Sequence, residues 1–112
     1  MVVNNKREVG SMLEYKLRKE EGKMLYSLLG KVLNHFELTL KQFGLYADTL
    51  CIYDMLDTNN FEKLEFDNRD DIVSCMTSLN FCISYTDFVE IENLVEVDEL
   101  ISRMLIDLYE KI

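Results

Sequence analysis

No proline and no tryptophan occur in the 112 residues, and glycine appears only four times. Turns that punctuate strands are therefore scarce, which disfavours a fold of many short strands and makes helices the natural reading. There is one histidine, His35, and the three cysteines, Cys51, Cys75 and Cys82, form no CxxC. At such scattered spacings these four residues make a poor zinc set, so neither a metal nor a cofactor is expected. With no signal peptide and no long apolar span, the chain reads as cytoplasmic, its odd number of thiols reduced. No Ser/His/Asp order, glycine-rich phosphate loop or HExxH is present, and His35 has no identifiable partner. An enzyme is not expected.

What is present is apolar bulk and unevenly spread charge. Apolar residues make up 48% of the chain, enough for one modest core despite a net charge of −9. Residues 1–46 hold eight Lys/Arg against five Asp/Glu, whereas residues 47–112 hold four against sixteen. An acidic body of this kind repels phosphate backbones and anionic lipid, which argues against nucleic-acid or membrane binding. A basic protein is the expected partner. The competing reading is that these acids form a solvated face that keeps a small protein soluble.

Periodicity places the elements. Ser11 and Glu14 have the spacing of a capping box, predicting a short helix through Met12, Leu13, Tyr15 and Leu17 that Gly22 weakens or kinks. That apolar patch is expected either to pack back onto the domain or to meet a second copy in a homodimer. Leu25, Leu28, Leu29, Val32, Phe36, Leu40 and Phe43 line one face of a longer helix, which Gly44 is placed to stop. Residues 45–66 are less regular and read as a long ordered loop, within which "TLCIYDML" fits a short strand or one helical turn. From Asp67 a helix is expected, capped by Asp67 or Asn68, with Asp70 and Asp71 at the positive end of its dipole. Phe81, Ile83 and Tyr85 alternate, predicting an extended path, and "DFVEIENL" reads as a short helix or turn. Val97, Leu100, Ile101, Met104, Leu105, Leu108 and Ile112 mark the final helix.

This order of elements resembles the acyl carrier protein fold. Gly44, Phe61 and Leu64 are similar to landmarks in that family's first loop, "DNRDDIVSCMTSLNFCISY" is similar to its second helix, and "LVEVDELISRML" to the start of its last. The resemblance covers residues 25–112 and implies an all-α helical bundle with a long first loop, preceded by an N-terminal extension, residues 1–24, carrying an extra helix. Family members attach 4′-phosphopantetheine to a serine in an Asp-Ser-Leu motif. Here the tripeptide is Asp67-Asn68-Arg69, and an asparagine amide has no hydroxyl for the phosphodiester. Neither Ser74 nor Ser78, further along the same helix, is a substitute.

What the resemblance then implies is docking without cargo: a non-catalytic acidic module, lacking its prosthetic group, that presents Glu65, Asp67, Asn68, Asp70 and Asp71 to a basic partner. Asp54, Asp57 and Glu62 are further acids available for that role. The alternative is a small helical regulator or inhibitor, of the immunity or anti-defence type, covering a basic site on an enzyme or nucleic-acid-binding protein. Pairing of residues 48–56 with 80–86 as strands would instead imply an α+β class.

Overall fold

The computed structural model describes residues 13–86 and 91–112. In chain order they form β1 (Leu13–Lys16), α1 (Lys19–His35), α2 (Glu37–Gln42), α3 (Tyr46–Thr58), β2 (Lys63–Phe66), α4 (Arg69–Ser84) and α5 (Leu94–Tyr109). The described part is predominantly helical, as the composition predicts. Its one small sheet is an antiparallel pair, with Leu13 opposite Phe66 and Lys16 opposite Lys63.

The core follows the predicted stripes of α1 and α5 over most of their length, though Ile112 lies beyond the end of α5 and is exposed. Val97, Leu100, Ile101, Met104 and Leu108 of α5 are buried. At roughly 1.5–3 kcal/mol per large side chain, that burial contributes on the order of ten kcal/mol before conformational entropy. Leu25, Leu28, Leu29 and Val32 of α1 face the same core. On α4, whose spacing offers Ile72, Val73, Met76 and Leu79 as the buried face, Ile72 and Leu79 are buried with Cys75 and Cys82, whereas Val73 is exposed. No helix among the described residues is long and apolar enough to cross a membrane.

Four local expectations are corrected. Leu13–Lys16 is a strand, not part of a helix. Ser11 lies outside the described residues, and Glu14 is paired in the sheet, so that capping box is not the start of α1. Glu21 takes the reciprocal role, accepting the Arg18 backbone N–H at 2.9 Å. Helix α1 then runs through Gly22 and across the expected boundary between residues 24 and 25. Second, the long helix is interrupted at Phe36, which turns Phe43 out to solvent while Leu40 stays buried.

The third correction is the largest. Residues 45–66 are not a loop: they hold the thirteen-residue helix α3 and strand β2. Thr49, Ile52 and Leu56 form its buried stripe, and Tyr53 stacks on Tyr26 of α1 with ring centroids 4.0 Å apart. Fourth, α4 continues to Ser84, so Phe81 and Ile83 lie on a helix and not on an extended path. Segments 48–56 and 80–84 are thus both helical, and the strand pairing that would have made an α+β class does not form. "DFVEIENL" falls partly at residues 87–90, outside the described residues; Ile91 packs on the core, whereas Leu94 opens α5 from an exposed position.

Both ends of α3 are fixed by left-handed residues. Gly44, at φ +70°, lets the Leu45 N–H reach the Leu40 carbonyl at 2.8 Å and closes α2 where the sequence places a stop. Asn60 and Phe61, at φ +58° and +66°, do the same after α3, with the Phe61 N–H on the Leu56 carbonyl at 2.7 Å. That reversal aims β2 at β1 and delivers Asp67 and Asn68 to the start of α4.

Candidate functional site

Asn68 caps α4. Its backbone is extended, and its Oδ1 accepts the Asp71 N–H at 2.9 Å. Asp71 reaches back, its Oδ2 accepting the Asp67 N–H at 3.1 Å. One donor that the helix start leaves unpaired, the Asp71 N–H, is satisfied in this way together with that of Asp67 just before the cap, and the carboxylates there suit the helix dipole. Asp67, Asn68, Asp70 and Asp71 are all exposed, and Glu65 is half-buried on β2.

Three of these five residues meet around one hollow. Asp67, Asp71 and Glu65 line a cavity of ≈ 160 Å³ together with Asp48, Cys51 and Met55 of α3. A broader depression of ≈ 490 Å³ lies beside it, sharing Cys51, Met55 and Glu65 and adding Asp54. Cys51 and Met55 therefore form an apolar ridge with carboxylates on both sides. Asp70 lines neither hollow, and Asn68 contributes its cap without lining either one. The further acids Asp57 and Glu62 are exposed and line neither.

Asp48, Cys51 and Met55 are the members that the sequence reading missed, because they belong to the helix taken for a loop. Their spacing of three and four residues was the available signal, since it places all three on one helical face.

The site holds its groups in place. The Glu65 N–H points at Met55 Sδ at 3.0 Å, and Glu65 Oε1 accepts the Asn59 amide at 3.1 Å. Partial burial pushes the Cys51 thiol up from its ordinary value, and the negative charges of Asp71, Asp48 and Asp54 push the same way. A thiol held protonated is a weak nucleophile and a weak metal ligand. Burial raises the Cys75 thiol also, and that of Cys82 to about 12. Among the described residues, no group of three or more His, Cys, Asp and Glu is arranged to hold a metal ion. His35 is exposed at the end of α1, away from this hollow.

An apolar trough of ≈ 500 Å³ runs between α4 and α5, lined by Val73, Met76, Leu105, Ile106, Tyr109 and Ile112. Ile106 and Tyr109 each keep 64% of their surface exposed, so the trough is wide open.

Comparison with family models, with curated proteins and with solved structures finds no match.

Proposed function

We propose that this chain is a non-catalytic acidic binding protein that docks to a basic surface of a partner protein, in the manner of a small helical regulator or inhibitor. The observation that carries the reading is the hollow at the junction of α3, β2 and α4. Carboxylates of Asp48, Glu65, Asp67 and Asp71 surround the apolar Met55–Cys51 ridge there. A lysine or arginine side chain suits such a place, since its methylene stem covers the ridge and its head meets the carboxylates. Acids on a rim also speed encounter with a basic surface and disfavour acidic competitors. The three free thiols support a reducing, cytoplasmic setting.

The test is affinity capture with the full chain as bait, beside the variant Asp48→Asn/Asp67→Asn. Among the described residues, neither side chain makes a hydrogen bond or an ion pair; Asp67 bonds through its backbone N–H alone. A basic protein retained by the first and lost from the second, with affinity falling as salt rises, is the expected outcome. Equal retention by both baits would overturn the assignment to this hollow.

A carrier-like module is the second reading, favoured by the exposed Asp67-Asn68 helix start. Helix α3 stands where that family has its loop, which weighs against it. The two readings part on the identity of the captured protein, a synthase or transferase component favouring the carrier. Co-expression with a phosphopantetheinyl transferase, followed by mass measurement, adds a check. Asn68 predicts no change, and a gain of one pantetheine arm would refute the absence of a prosthetic group.

A further inference from the structure

The two edges of the small sheet are built differently. On β2, the groups that point away from β1 are occupied: the Lys63 carbonyl accepts the Asn59 amide at 3.2 Å, and the Glu65 N–H meets Met55 Sδ at 3.0 Å. On β1 the corresponding groups belong to Glu14 and Lys16. The Leu17 N–H bonds the Glu62 carbonyl at 2.8 Å, so antiparallel alternation turns Leu13 and Tyr15 toward β2 and the even-numbered residues away. Among the described residues, no backbone group bonds to that outer edge.

The charges on β1 are also poorly matched inside the chain. Glu14 stands opposite Glu65 and Lys16 opposite Lys63, both like-charge pairs. Lys63 relieves this by reaching diagonally to Glu14 at 3.0 Å, and Lys16 has no ion-pair partner among the described residues.

We propose that the outer edge of β1 pairs with the same edge of a second copy of this chain. The strands run antiparallel about Tyr15, giving one four-stranded sheet in the order β2–β1–β1–β2. Complementarity of charge selects this occupant. With Tyr15 at the twofold axis, Glu14 of each copy lies opposite Lys16 of the other, and both positions are the outward-pointing kind that exchange two hydrogen bonds. Each interface therefore contains two Glu–Lys pairs, and each Lys16 gains a carboxylate. A strand of four residues makes a short interface, so the association is weak and concentration-dependent.

The experiment uses the full chain and three proteins: wild type, Lys16→Glu, and the swap Glu14→Lys/Lys16→Glu. Lys16→Glu improves the contact with Lys63 inside the chain, so the fold is kept while Glu–Glu pairs are set across the interface. Sedimentation should show a wild-type dimer whose dissociation constant rises about tenfold or more in Lys16→Glu. The double swap restores opposite charges and should return the dimer. Hydrogen exchange should show the Glu14 and Lys16 amides gaining protection as wild-type concentration rises. A chain monomeric up to about 1 mM, or a dimer indifferent to Lys16→Glu, would overturn the proposal.

Discussion

The Cα of Gly22 faces the carbonyl of Phe61 so closely that a Cβ built there would lie 1.8 Å from that oxygen. Helix α1 and the turn that feeds β2 therefore meet backbone to backbone. Replacing Gly22 with alanine gains about 1 kcal/mol in helix propensity. It also drives a methyl group into a main chain already held at positive φ, which cannot step aside as a flexible side chain would. We expect Gly22→Ala to destabilise the fold by about 2 kcal/mol net, measured by urea denaturation. A stabilised variant would show that the turn is not anchored on α1.

Glu21 is the buried carboxylate of α1. It accepts from Arg103 of α5 at 2.6 Å and from the Arg18 backbone at 2.9 Å. Burial alone would raise its pKa, but the bonds from Arg103 and Arg18 and the charge of Arg103 outweigh it and lower the value below the ordinary carboxylate range. A lowered folded-state pKa contributes stability that is complete above the unfolded value, near 4.5. That contribution is lost as pH falls through the folded value. Glu21→Gln should cost about 1–2 kcal/mol at neutral pH, with Arg103 half-exposed and partly screened. The gap to wild type should narrow on acidification below about pH 4, as denaturation midpoints across pH will show.

Tyr15 gives a signature at the other end of the scale. Its hydroxyl donates to Asp107 Oδ2 at 2.6 Å. Burial and the Asp107 carboxylate raise its pKa from 10.0 to about 12, against the opposing pull of Arg103. Stability from this group is complete below pH 10 and lost as pH rises through about 12. Tyr26, hydrogen-bonded to Tyr53, is raised to about 12 as well, so phenolate absorbance should show two tyrosines titrating late in the wild type and one in Tyr15→Phe.

Ser78 is buried, and its Oγ has no hydrogen-bond partner among the described residues. A hydroxyl desolvated without compensation is a net cost, so its removal should not weaken the fold. Ser78→Ala is expected to be neutral or more stable by up to about 1 kcal/mol in thermal or chemical melts. A loss above that size would mean that the Oγ makes a bond in solution.

Much of the fold was legible because long amphipathic helices advertise their period. The α5 stripe from Val97 to Leu108 and the cap at Asn68 are local patterns, and both are found where they were read. Gly22 was misread for a reason of distance. Its helix-weakening tendency is local, but its use is a contact with Phe61, thirty-nine positions along the chain. Leu13–Lys16 went the same way, since a four-residue strand is fixed by its partner at 63–66 and carries no period of its own. In the candidate site, the charges of Glu65, Asp67 and Asp71 were visible, whereas Asp48, Cys51 and Met55 were hidden inside a helix whose apolar residues also fit a loop.

The register that places Leu13 opposite Phe66 also sets an order of events during synthesis. The β1 segment leaves the ribosome before any other described element, yet its partner strand follows only after α1, α2 and α3 have emerged. Strand β1 has to wait, unpaired, while those helices gather the contacts available to them. The first described element to be made thus finds its partner only after three later helices, and a nascent chain stalled before residue 66 exposes Leu13, Tyr15 and Leu17 with no β2 to receive them.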